Sequence, residues 1–149
     1  MKRTEKYRDS DVFHLYNANP RNRIAGDCVI RAISTALQQS WEQTVRELTE
    51  VGIKHGLVCN EQACYDKYLK SKGWVKCKQP RKYDNTKYTG KEFCRELVRY
   101  DSEIYSGDDM LHIVAHIGTH HVVAIMSGQV WDTWDSTSGA IGVYWVKEG

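Results

Sequence analysis

The chain of 149 residues holds only two prolines, two phenylalanines and three methionines. It has no apolar run near the roughly 18 residues that a membrane-spanning helix needs, so no membrane is expected among its partners. Behind the charged opening Met-Lys-Arg-Thr-Glu-Lys-Tyr-Arg there is no apolar segment, which argues against a secretory signal and for a cytoplasmic protein with reduced thiols. Net charge is also scarce. Lysine plus arginine number 21 against 19 acidic residues, so nucleic acid is not an expected partner. The five cysteines are an odd number, which disfavours a disulfide framework. No internal repeat or low-complexity tract is present, and the length suits one domain, residues 1–149, with residues 1–10 loosely held. The oligomeric state is left open.

What is present is uneven. Between Lys67 and Lys91 basic residues outnumber acidic ones, interleaved with Tyr68, Trp74, Tyr83 and Tyr88. A solvated face is the simpler reading, and an anion-binding surface the alternative. Cys59, Cys64, Cys77 and Cys94 could in principle share a zinc ion. Only the first two come near the close spacing such sites use, so small buried side chains are expected, with no metal or cofactor.

Val12–Tyr16 reads as a short edge strand, closed by the turn Asn17-Ala18-Asn19-Pro20. Val29, Ile33, Ala36 and Leu37 lie on one helical face. They define a helix that opens at Cys28, with Asp27 expected to cap its first amides. Ser40-Trp41-Glu42-Gln43 and Thr89-Gly90-Lys91-Glu92 read as capping boxes opening two further helices. Between them a helix capped by Asn60 is expected to stop at Gly73, followed by a strand from Trp74 and a polar loop over 79–88. The acidic stretch 101–109 reads as another loop. From Met110 onward the pattern turns to β, with hairpin turns at Gly118-Thr119 and Ser127-Gly128-Gln129 and a last strand over 141–146. Helices followed by an antiparallel sheet make an α+β domain.

A thiol becomes a good nucleophile when its thiolate is favoured, by the positive end of a helix dipole or by an imidazolium. Cys28 is the cysteine that opens a strong hydrophobic helix, although on position alone a small core residue is the simpler reading. His121 heads an apolar strand, and Asp132 lies beyond the following hairpin. There it can accept from one imidazole nitrogen and leave the other facing a thiol. His120 is the competing base, expected to point to the opposite face of the strand. Asp135 competes with Asp132. His112 and His116 read as structural, Trp131 and Trp134 as cover over the histidine, and Arg31 as the surface ion-pair partner of Asp27 one turn away.

Gly26-Asp27-Cys28-Val-Ile-Arg-Ala-Ile and the segment from His121 through Ser127-Gly128-Gln129 to Asp132 together resemble papain-like cysteine peptidases. The likeness is greatest to compact bacterial and phage-borne members such as bacteriocin-processing peptidase domains. The resemblance spans residues 12–146 in architecture, but its specific motifs cover only these two segments. It implies a nucleophile helix packed on a C-terminal sheet, a Cys28–His121–Asp132 triad and a peptide or protein substrate. It also implies a side-chain amide shortly before the cysteine to bind the oxyanion. Asn22 matches in position, where glutamine is usual, with Asn17 and Asn19 as deputies.

Overall fold

A computed structural model describes residues 5–104 and 111–147. In chain order these form β1 (Phe13–Leu15), α1 (Cys28–Leu37), α2 (Trp41–His55), α3 (Gln62–Ser71), β2 (Trp74–Cys77), α4 (Gly90–Ile104), β3 (Ile113–Ile117), β4 (His121–Met126), β5 (Gln129–Asp132) and β6 (Ile141–Lys147). The six strands make one sheet in the order β1-β5-β4-β3-β6-β2. The fold is α+β, but the sheet is mixed: β1 runs parallel to β5, with Phe13 beside Val130 and Leu15 beside Asp132. All other pairs are antiparallel. A parallel neighbour is possible because the long chain between β1 and β5, which carries all four helices, gives room to cross over.

Side chains alternate across a strand, so the sheet separates two apolar layers. Val114, Val122, Ala124, Met126 and Trp145 pack with Val29, Ile33, Leu48, Tyr65 and Leu69 from α1, α2 and α3. Ile113, Ala115, Ile117, Val123 and Ile125 pack with Phe93 and Cys94 of α4. α1 lies against β4, and that contact brings its N-terminus to the start of the same strand that carries His121.

Local signals set most of the boundaries. Ser40 caps α2 by accepting from Gln43 N at 3.0 Å. Thr89 and Glu92 form a reciprocal box, each side chain accepting from the other's backbone N–H at 3.1 and 3.0 Å. The Ser127-Gly128 turn places both residues at positive φ, 52° and 70°, the backbone that matches the twist of a two-residue hairpin.

Other expectations change. α3 is preceded by Glu61 rather than Asn60, and Glu61 instead accepts from Val58 N at 2.8 Å. α4 runs on through 101–104, where a loop is expected from sequence, and residues 105–110 lie outside the described residues. Residues 5–10 are exposed but tied down. Asp135 N donates to Lys6 O at 2.8 Å, and the Lys6 ammonium lies 5.3 Å from the Trp134 ring. No described helix is long and apolar enough to cross a membrane.

Candidate active site

Cys28 is the first residue of α1. The broad apolar face of that helix, with Ile33 fully buried, fixes where the thiol stands. Asp27 occupies the N-cap position, but its side chain makes no capping bond, contrary to the expectation from sequence. Its carboxylate accepts from Arg31 Nε at 2.9 Å, Trp41 Nε1 at 2.9 Å and Asn19 Nδ2 at 3.2 Å. The opening amides of α1 are therefore not consumed by Asp27, and amides at a helix start are ready donors to a developing anion.

His121 begins β4, opposite Ile117 of β3, and its Nε2 lies 2.6 Å from Asp132 Oδ2. Cys28 lines the same cleft as His121, and with Nε2 taken by Asp132 the nitrogen left for the thiol is Nδ1. Asp132, 4 % exposed, accepts three further bonds: from Arg31 Nη1 at 3.3 Å, Ser136 Oγ at 3.1 Å and Thr133 N at 2.7 Å. A carboxylate so surrounded has one orientation, and it fixes the ring in turn.

The electrostatics follow from this packing. Burial pushes the Cys28 thiol up. The hydrogen bond from His121, a backbone bond from Val122 and the positive charges of His121 and Arg31 outweigh it, and the thiol ends below its ordinary value. Burial also works against a charged His121. The hydrogen bonds to Asp132 and Cys28 and the charges of both prevail, raising the imidazole to about 9. Between these two titrations the pair holds as thiolate and imidazolium.

Arg31 is the residue whose part the sequence conceals. It is 8 % exposed, not a surface ion-pair member. Its guanidinium joins Asp27 to Asp132 and also donates to Thr133 Oγ1 at 3.1 Å. It thereby ties α1 to β5, the strand that ends at Asp132. Its helical spacing from Asp27 signals only the first of these bonds; the second spans 101 residues of chain.

The cleft at the thiol has a volume of about 580 Å³, and its walls include Gly26, Tyr65, His116, Gly118, His120 and His121. His120 sits in the β3–β4 turn at φ 57° rather than on the strand, so both neighbouring histidines reach the cleft, and only His121 meets Asp132. Asp135 is engaged elsewhere, accepting from Thr137 N at 3.0 Å and Thr137 Oγ1 at 2.5 Å. Trp134 covers one side of His121, with ring centroids 5.4 Å apart. Trp131 packs instead with His14 and Tyr16, at 4.3 and 5.2 Å.

Asn22 is not brought to the cleft walls. It is exposed, at φ 53°, and accepts a 3.4 Å bond from Asn17 Nδ2. His112 is held by Ala36 O at 3.2 Å, whereas His116 faces the cleft and meets the Tyr65 hydroxyl at 2.7 Å.

The remaining cysteines do not converge. Cys64 is buried in the layer of α1–α3 and Cys94 in the layer of α4. No group of His, Cys, Asp and Glu that could hold a metal exists among the described residues. In the 67–91 segment Tyr68 and Trp74 belong to the core, while Tyr83 is fully exposed. Lys72, Lys76 and Lys82 lie over Tyr68, Trp145 and Tyr88.

In comparisons with known proteins, no family model, curated protein or solved structure matches the chain.

Proposed function

We propose that the protein is a papain-like cysteine hydrolase that cleaves a peptide, isopeptide or related amide bond. The observation that carries this reading is the bond of His121 Nε2 to the buried Asp132 at 2.6 Å, with His121 and Cys28 lining one cleft. In the reaction the Cys28 thiolate attacks the carbonyl carbon, and the amides at the start of α1 stabilise the resulting oxyanion. As the C–N bond breaks, the imidazolium gives its proton to the departing amine and a thioester remains on Cys28. His121, now neutral, takes a proton from water, whose oxygen attacks the thioester. Collapse breaks the C–S bond, releases the acid and restores the thiolate and imidazolium.

The order of cysteine, histidine and aspartate along the chain and the packing of the cysteine helix on the sheet support the papain-like assignment. The cleft walls bear on the substrate. They hold no Asp, Glu, Lys or Arg, which favours an uncharged segment of a peptide or protein. A Cβ added at Gly26 or Gly118 would meet nothing within 4 Å, so an extended backbone can approach Cys28 from either rim.

Alkylation with iodoacetamide at pH 6, followed by mass spectrometry, tests the thiolate directly. Cys28 should react far faster than the half-buried Cys59. His121→Ala should slow it by about two orders of magnitude, because a free thiol of pKa near 8.5 is only a few parts per thousand ionised there. Asp132→Asn should cause a smaller loss in the same direction. Equal labelling of Cys28 and Cys59, indifferent to His121, would overturn the reading and turn attention to the basic–aromatic 67–91 segment as the surface of a non-catalytic binding module.

A further inference from the structure

A cysteine hydrolase needs a side-chain or backbone partner for the oxyanion, and Asn22, the residue the sequence offers, stands away from the cleft. Another hydroxyl is already there. Tyr65 lies one turn into α3, with its ring buried against Trp145, centroids 5.5 Å apart and nearly perpendicular. Tyr65 lines the cleft that holds Cys28, and its hydroxyl is fixed at 2.7 Å from Nε2 of His116, another wall residue. His116 is itself set by the fold. It projects from β3 beside β6, where Gly142 leaves it room; a Cβ at 142 would press to 3.1 Å from His116 Cβ.

Building on the hydrolase reading above, we propose that Tyr65, held by His116, is the side-chain donor that binds the oxyanion formed when Cys28 attacks a carbonyl. A phenol has one proton to give and lone pairs to accept with. When His116 carries its proton on Nε2 it donates to the Tyr65 oxygen, and the phenolic proton is free to turn into the cleft. Burial pushes the His116 imidazole down, so it stays neutral and can play this part.

The Tyr65 phenol is pushed up to about 12 by burial, with the charges of Asp66 and Cys28 adding to it. It therefore stays a donor throughout the range in which the thiolate–imidazolium pair exists. Tyr65 and Cys28 line the same cleft. Asn60 and Gln62 border the same cleft but are exposed, and a donor that must be ordered at the moment of reaction stabilises less than one already in place.

The test separates two reactions of one thiol. Acylation by p-nitrophenyl acetate forms the S–C bond, passes through a tetrahedral oxyanion and expels p-nitrophenolate, leaving an acetyl thioester. Alkylation by iodoacetamide forms an S–C bond and expels iodide without any oxyanion. Tyr65→Phe keeps the ring on Trp145 and removes only the hydroxyl. It should slow acylation about 100-fold, the loss expected for one oxyanion donor, while the pH 6 alkylation rate stays within twofold of wild type. His116→Phe, which removes the group orienting the hydroxyl, should slow acylation in the same selective way by a smaller factor.

Parallel loss of both rates in Tyr65→Phe would mean that the tyrosine only supports the fold, and would overturn the proposal. Unchanged acylation would overturn it too, as would a selective loss in Gln62→Ala and none in Tyr65→Phe. If wild-type Cys28 alkylates no faster than Cys59, the hydrolase reading itself has failed, and the proposal falls with it.

Discussion

Cys28 and Cys94 lie on opposite faces of one sheet, and burial acts on their thiols with the same sign. Cys94, fully buried on the core side of α4, is pushed up to about 12, by burial first and then by the charge of Asp11, with only a backbone bond from Val130 acting the other way. Cys28 ends below its ordinary value. Cys94 stands inside α4, where the amides around it are bonded within the helix, and it has apolar neighbours. Cys28 stands at the start of a helix, with an imidazole beside it and a guanidinium behind. Apolar surroundings make a thiol inert, and what makes it a nucleophile is a set of donors that favour the charge.

The largest effect that sharpens this contrast is exchange of the two sites. Cys28→Ala should reduce ester and amide cleavage to background, whereas Cys94→Ala should leave turnover intact, as read by the p-nitrophenolate burst. Next is the cost of charge in the cleft layer. Arg31 is the cation shared by two buried carboxylates, and Arg31→Met would leave both without it. A loss of about 3 kcal/mol in urea unfolding is expected for breaking such a pair. Arg31→Lys should recover only part of it, since one ammonium cannot span Asp27 and Asp132 as a planar fork does.

Smallest per step is the pH dependence. Hydrolysis of an amide needs both thiolate and imidazolium. It should rise as pH climbs through the depressed Cys28 value, hold a plateau, and fall about tenfold per unit beyond pH 9, where His121 loses its proton. Alkylation, which needs only the thiolate, should keep its rate across that alkaline limb. Loss of both together above pH 9 would mean that the limb reports unfolding.

The parts of the fold that were legible in the sequence are those written locally. The start of α1 at Cys28, the boxes at Ser40 and Thr89 and the Ser127-Gly128 turn each depend on residues within four positions of one another. The parallel docking of β1 on β5 joins residues more than 110 apart, and nothing in Val12–Tyr16 signals a direction. The site divides in the same way. His121 and Asp132 are joined by a hairpin whose length sets their register, so their pairing could be read. Three other features could not. Arg31 reaching Asp132, Asn19 rather than Asn22 turning inward to Asp27, and Tyr65 meeting His116 are each decided by which side chain fills a buried gap. Asp27 illustrates the conflict: its position is that of a cap, yet a buried guanidinium and an indole N–H hold its carboxylate more strongly than free amides would.

The strand order has a consequence for how the protein comes into being. β6 is inserted between β3 and β2, so a strand made after both of its neighbours becomes their link. The thiol at Cys28 leaves the ribosome more than ninety residues ahead of His121 and Asp132. Until the later segments emerge and settle into place, it has neither its imidazole nor the carboxylate behind it. The nascent chain thus carries an ordinary cysteine until these segments are made, and the lowered thiol arises only with the completed sheet.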